Sequence, residues 1–312
     1  MGRSRIISTL LCVGFLIIYT AGCGSSAEYT EADDKVNVVG DASQDVIKAD
    51  GFFETDSVIE GQDEETEEEE LSLEGLSLSI FGDSISTYEG YIPEGFAIFF
   101  PYDGEVTDVS QTWWKRLLGD TGMELCSNNS SSGSTCVGDS QSMGNLKYGC
   151  SSYRLSLMTG EQGKMPDVII VYMGTNDLLN GVPLGDNDGT RLVEEGVIEN
   201  FSDAYCLILD KLESEYPIAE IYCCTLPPVG CWGTKEPFVT FENELGLTSQ
   251  DYSQQIKTIA ENRSISVLDL SECGIGIDNL DEMTTDGVHM TPVGMEYIEQ
   301  TMLTGLTGIS NE

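Results

Sequence analysis

The sequence predicts an α/β fold with a central parallel sheet of about five strands, covered by helices on both faces. Three observations carry this reading. From Leu76 onward, short apolar runs alternate with stretches of helical period, the pattern of repeated strand–helix units. Pro166 to Met173 is continuously apolar, as a parallel strand buried on both faces requires. Gly82, Gly174 and the Pro227-Pro228 pair punctuate the ends of the strand-like runs.

The elements follow in order. Residues 76–84 (LSLSIFGDS) alternate apolar and small polar residues, then break at Gly82, which places Asp83 and Ser84 at the carboxyl end of a first strand. Residues 112–118 read as a helix after a long aromatic loop, residues 123–128 as a short strand, and residues 148–158 as helical. Residues 166–173 form the continuously apolar strand. Residues 200–216 form an amphipathic helix with Phe201, Tyr205, Ile208, Leu209 and Leu212 on one face. A strand at 219–226, a helix at 249–262 and a strand at 265–270 follow. A last helix at 291–303 has Pro292 in its first turn. No internal repeat is present.

Two segments precede this domain. Arg3 and Arg5 lead into an apolar run over residues 6–19, too short and wrongly flanked for a stable membrane span, so residues 1–22 are expected to be a signal peptide. Ala21-Gly22-Cys23 resembles a bacterial lipobox, with Thr20 where that pattern usually has Leu. The resemblance implies a lipidated Cys23 as the mature N-terminus, hence an extracytoplasmic, membrane-anchored lipoprotein of a bacterium that meets the membrane only through its N-terminal lipid. The alternative is an ordinary cleaved signal with an incidental Cys. Residues 23–74 hold the run Glu64-Glu65-Thr66-Glu67-Glu68-Glu69-Glu70 and few large apolar residues. Such a segment cannot bury enough apolar surface to offset its conformational entropy, so it reads as a disordered, self-repelling tether. Residues 75–312 are left as one domain with ample core. The chain carries 14 Lys and Arg against 54 Asp and Glu, a formal net charge of −40. That balance disfavours nucleic acid and anionic lipid as partners and favours neutral or cationic substrates.

The chain has a single His, His289. Asp286 lies three residues earlier, within reach of its Nδ1–H, where a carboxylate fixes the tautomer and stabilises the imidazolium. A Ser84 nucleophile needs a base, since a hydroxyl is hardly ionised at neutral pH. Asn176, in Gly174-Thr175-Asn176-Asp177 after the apolar strand, can donate its side-chain amide to a developing oxyanion. Gly133, in the Ser-rich stretch after the second strand, allows backbone N–H groups to approach a substrate closely.

Gly82-Asp83-Ser84, Gly133, Gly174-Thr175-Asn176-Asp177 and Asp286-x-x-His289 are similar, in order and rough spacing, to the four blocks of the SGNH or GDSL hydrolases. The match spans about residues 76–303, with Ile85 where the first block often has Leu. The resemblance implies a flavodoxin-like three-layer α/β/α sandwich and no cofactor. It implies Ser84 as nucleophile, His289 as general base and then acid, and Asp286 as its orienter. Its oxyanion donors would be the Ser84 N–H, the Gly133 N–H and the Asn176 side chain. Asp83 and Asp177 would support the turns by hydrogen bonds. The expected substrate is a small-molecule or glycan ester, with short acyl groups removed from extracellular carbohydrate. A lysophospholipase or thioesterase, or a non-catalytic surface binding module on the same fold, is the rival reading.

Other features read as structural. Residues 186–195 partly resemble a calcium loop, but Leu184 stands at the first ligand position. One His and scattered Cys lack zinc-ligand spacing, so no metal is expected. Eight Cys lie beyond Cys23; Cys223 and Cys224, adjacent in a strand, point to opposite faces and are poor partners for each other. The loop 86–111 carries Tyr88, Tyr91, Phe96, Phe99, Phe100 and Tyr102, and part of it is expected to overhang the site.

Overall fold

The computed structural model describes residues 72–308. The expected signal peptide, Cys23 and all but the last residues of the expected tether lie outside them. Seven strands occur: β1 (Ser77–Gly82), β2 (Glu124–Ser130), β3 (Gly138–Asp139), β4 (Val168–Tyr172), β5 (Val197–Ile198), β6 (Glu220–Cys224) and β7 (Ser266–Leu268). Seven α-helices accompany them: α1 (Trp113–Thr121), α2 (Ser152–Leu155), α3 (Thr175–Leu179), α4 (Phe201–Glu215), α5 (Ser249–Asn262), α6 (Leu280–Met283) and α7 (Pro292–Thr307).

Five strands form one parallel sheet in the order β2-β1-β4-β6-β7, and β3 pairs with β5 in a small antiparallel ladder. The chain leaves β1 toward β2, then returns across β1 to build the other half of the sheet. Right-handed crossovers in opposite directions put α1 on one face and α4 and α5 on the other. Helix α7 packs beside α1 and closes the three-layer α/β/α sandwich. The reversal lies between β1 and β4, and ligands gather outside the carboxyl ends of strands at such a point.

Strand β1 is buried along its whole length. Its serines survive there because each hydroxyl has an acceptor: Ser79 Oγ donates to the Met158 carbonyl at 2.7 Å and Ser77 Oγ to Asp167 at 2.6 Å. Helix starts follow the capping rules. The Asn200 side chain accepts the Asp203 N–H, and the Thr291 side chain accepts the Gly294 N–H ahead of Pro292. Helix α7 runs four residues beyond the expected end at 303 and stops at Gly308, whose φ of 69° suits glycine.

Two expectations are adjusted. Within 148–158 only Ser152–Leu155 is α-helical, followed by a 3-10 turn at Ser156–Met158. Before it the chain makes a turn, closed by the Ser151 N–H donating to the Tyr148 carbonyl, in which Gly149 and Cys150 donate to the carbonyls of Thr135 and Cys136. At the amino end, Leu73 is buried in the core and the Gly75 N–H donates to the Gly122 carbonyl, so folded structure starts ahead of residue 75. Helices α3 and α6, of five and four residues, are too short to show a helical period in sequence. The eight cysteines of the described residues are free thiols, with Cys223 and Cys224 both fully buried. Among the described residues, no helix is long and apolar enough to cross a membrane.

Gly82 pairs with Ser130 on one side and Tyr172 on the other. A methyl group there would meet Ser130 Oγ at 2.7 Å and Ser86 Cβ at 2.9 Å. Gly82→Ala is therefore expected to destabilise the protein by about 1–3 kcal/mol, the usual scale of overpacking, read as a lower urea midpoint at unchanged slope.

Candidate active site

Just beyond Gly82 the chain turns sharply into a 3-10 turn, Ser84–Ser86, capped by Asp83, whose carboxylate accepts the Ile85 N–H at 3.0 Å. This turn presents Ser84 at the carboxyl edge of the sheet, 5% exposed. His289 arrives from the β7–α7 connection, on a loop closed by a Thr284–Met290 bridge. Its Nε2 lies 2.9 Å from Ser84 Oγ and its Nδ1 lies 2.7 Å from Asp286 Oδ2. Asp286 Oδ1 also accepts the backbone N–H groups of Val288 (3.0 Å) and His289 (2.8 Å), which holds the carboxylate in place. With Nδ1–H donated to a carboxylate, Nε2 is left as the acceptor for the serine proton. Residues 205 positions apart in sequence thus form a continuous Ser–His–Asp array.

The remaining residues named from sequence converge on the same edge. Gly174, with φ of 126°, lets the chain turn from β4 into α3, which carries Asn176. Asn176 Nδ2 is 3.4 Å from Asp83 Oδ2, a weak contact to the residue that precedes Ser84. Asp177 is fully buried and accepts the N–H groups of Cys136 (2.8 Å) and Val137 (3.2 Å), anchoring the loop that contains Gly133. Gly133 takes φ of 72°. Among the described residues, no main-chain hydrogen bond outside the helices and strands uses the N–H of Ser84 or Gly133. Two backbone donors and one side-chain amide are thus available to a developing oxyanion.

The carboxyls of the site are tuned apart. Burial alone would raise Asp286, but the hydrogen bond and charge of His289 and the two backbone donors outweigh it and hold Asp286 below its ordinary value. Asp83 and Asp177 go the other way. Complete burial pushes Asp83 up to about 6, against the Ile85 N–H and the charges of His289 and Arg154. Burial likewise pushes Asp177 up to about 7, against the Cys136 and Val137 N–H groups.

Arg154 was not foreseen as part of the site, whereas Phe99 belongs to the loop expected to overhang it. Arg154, on α2, is fully buried and donates through Nη2 to the carbonyls of Gly82 (2.6 Å) and Asn129 (3.2 Å), and through Nε to Asn129 Oδ1 (3.1 Å). Burial lowers its pKa to about 10, so it remains charged at neutral pH. Phe99 stacks on His289 with ring centroids 3.6 Å apart and an 11° interplanar angle, and Phe100 meets the same ring edge-on. Trp232 is exposed on the β6–α5 connection, which is joined to the His289 loop by the Gly230 N–H donating to the Gly287 carbonyl. The aromatic cluster of 86–111 was the one sequence signal for Phe99. Of that cluster Phe96 and Phe100 are buried, Tyr88 and Phe99 are half-buried, and Tyr91 and Tyr102 are exposed, Tyr91 with its ring against Trp114. Trp113 and Trp114 both donate their indole N–H groups to Ser86.

The segment resembling a calcium loop is held by its own bonds. Asp186 pairs with Arg191, and Asp188 accepts both the N–H and the hydroxyl of Thr190. Among the described residues, no cluster of His, Cys, Asp and Glu could hold a metal ion. A groove of about 560 Å³ runs along β2 between Tyr91–Pro93 and Thr159–Glu161, and neither Ser84 nor His289 lines it.

Residues 76–227 match the family model for GDSL-like lipase/acylhydrolases, a stretch that includes Ser84, Gly133 and Asn176. Crystal structures from Bacteroides ovatus and Bacteroides uniformis, both assigned as GDSL-like lipases, are each 25% identical to this chain. Each covers 75% of it, over 99% and 97% of their own lengths, with TM-scores of 0.53 and 0.54. The protein is an ester-bond hydrolase. A Lactobacillus plantarum protein, 19% identical over 75% of this chain and 98% of its own, shares the fold at a TM-score of 0.55. No curated protein matches the sequence.

The raised carboxyl of Asp177 gives the hydrolase a specific pH signature. Between the ordinary value of 3.8 and about 7, the folded state keeps the proton and the unfolded state releases it. Stability from this group is therefore full below 3.8 and is lost as pH rises to about 7. Asn cannot titrate, so the stability of the parent relative to Asp177→Asn should fall across that window, by at most about 1.4 kcal/mol per pH unit, and be flat above it. Urea unfolding of both proteins at a series of pH values measures this.

Proposed function

We propose that this hydrolase acts through Ser84, His289 and Asp286 and removes short acyl groups, acetyl foremost, from carbohydrate outside the cell. The observation that carries the mechanism is the pair of contacts at 2.9 and 2.7 Å that runs from Ser84 Oγ through His289 to Asp286. Ser84 Oγ attacks the ester carbonyl carbon while its proton passes to His289 Nε2. The carbonyl oxygen becomes an oxyanion held by the Ser84 and Gly133 N–H groups and the Asn176 amide. Collapse of the tetrahedral intermediate expels the alcohol, which takes the proton from His289, and leaves Ser84 acylated. Water then adds to the acyl carbon and gives its proton to His289. The second collapse releases the acid, and Ser84 recovers its proton. Asp286 holds the imidazole through both halves and stabilises its charged form.

Two exposed aromatics support carbohydrate as the alcohol part. Tyr102 is exposed on the turn after Phe99, the ring that stacks on His289, and Trp232 is exposed on the loop bonded to Gly287. Flat apolar faces with polar tips suit the faces of sugar rings. An N-terminal lipid at Cys23 and an acidic tether over residues 23–74 would place the enzyme outside the cytoplasm, where polymers of that kind are met.

Ser84→Ala should keep the fold and lower kcat by about four to six orders of magnitude on a simple aryl acetate. Asp286→Asn should lower kcat by about four orders with the fold intact, because an amide no longer enforces the required tautomer. Near-normal turnover by folded Ser84→Ala would remove Ser84 from the mechanism. On substrate, kcat/KM should be higher for acetylated oligosaccharides than for long-chain lysophospholipids under the same conditions. The reverse order would favour a lipid ester.

A further inference from the structure

The geometry points to Lys147 as an anion-recognition residue at the mouth of this site, selecting esters whose alcohol part carries a carboxylate or phosphate near the scissile bond. The inference rests on the esterase reading above. Gly133 has no side chain, and a methyl group placed there would come within 3.3 Å of Lys147 Nζ. The ammonium therefore lies against the loop whose N–H is offered to the oxyanion. The backbone sets it there: the Thr135 N–H donates to the Lys147 carbonyl at 3.0 Å, the Gly149 N–H to the Thr135 carbonyl at 2.7 Å, and the Lys147 N–H to Asn145 Oδ1 at 3.0 Å.

Its charge has no partner in the fold. Among the described residues, Arg116, Lys164, Arg191, Lys211, Lys257 and Arg263 pair with carboxylates, Arg154 is buried on carbonyls, and Lys115 and Lys235 share with Lys147 the lack of an ion pair; of these three it is Lys147 whose ammonium lies against Gly133. Lys147 makes no ion pair, in a chain with 54 acidic and 14 basic residues. Two backbone N–H groups and an amide already serve the oxyanion, so this exposed ammonium is free to meet charge on the substrate. A lysine suits that task as a mobile point charge with three donors. The net charge of −40 repels anions at long range, but charges beyond about 8 Å are largely screened at physiological ionic strength, so the local ammonium dominates at contact. Two sources supply such a group: the carboxylate of an acidic sugar and the phosphate of a lipid head group.

The test uses the full chain and two substrate pairs that differ mainly in charge: an O-acetylated uronic acid against its methyl ester, and acetylated glycerol 3-phosphate against acetylated glycerol. Wild type should favour the charged member of at least one pair by roughly fivefold in kcat/KM at low salt. That preference should fall to about one in Lys147→Gln through a higher KM for the charged ester, persist in Lys147→Arg, and decay as salt is added. Preference confined to the uronate pair identifies the sugar source, and preference confined to the phosphate pair the lipid source. Either supports the proposal. A wild-type ratio of one or less in both pairs overturns it. So does an equal loss on charged and neutral esters in Lys147→Gln. Turnover of the neutral esters reports the esterase reading separately, so the two ideas fail independently.

Discussion

The carbonyl of Gly82 is the point from which the site hangs. It accepts Arg154 Nη2 at 2.6 Å, the Ser131 N–H at 3.2 Å and the Ser134 hydroxyl at 3.4 Å. One oxygen thus joins the end of β1, the loop after β2 and helix α2. Burying a guanidinium costs several kcal/mol unless its surroundings replace water. Here two carbonyls and an Asn side chain serve Nε and Nη2, the Phe81 ring lies 4.5 Å and the Phe96 ring 5.9 Å from the central carbon, and Nη1 is buried without a hydrogen-bond partner. The missing side chain at Gly82 leaves room for Ser130 and Ser86 against the same residue.

Around that point the protein places three carboxyls in three environments. Asp286, partly open and beside the imidazole, is kept ionised and can stabilise positive charge. Asp83 and Asp177 are fully buried, and their carboxyls accept hydrogen bonds from loop N–H groups. The difference comes from complete burial of Asp83 and Asp177 and from the hydrogen bond that His289 gives Asp286, because all three accept backbone N–H groups.

Much of this was legible in the sequence. The continuous apolar run of β4 and the five-strand alternation led to the sheet, since burial on both faces leaves no other pattern. The uniqueness of His289 and the spacing to Asp286 singled out this pair, and the structure puts His289 against Ser84 and Asp286 against His289. Arg154 was not legible, because its partners are mainly carbonyls, which every residue has and no sequence marks. Trp232 was missed for another reason: its loop touches the site through Gly230 and Gly287, a backbone contact without side-chain chemistry. Short elements such as α3 and the β3–β5 ladder lack enough residues to show a period.

The loops around Ser84 are laced to one another. The Ala97 N–H donates to Ser131 Oγ, and the Ser132 N–H donates back to the Ala97 carbonyl. Two residues on, Phe99 lies flat on the imidazole. The 131–134 turn and the ring that lies on His289 are therefore parts of one mechanical unit. Grafting the 131–134 turn from a relative with another acyl preference would import a new partner for Ala97, and the orientation of His289 would change with it. The two segments are inherited together in this scaffold, and an exchange that keeps the orientation of His289 has to carry residues 96–100 along with residues 131–134.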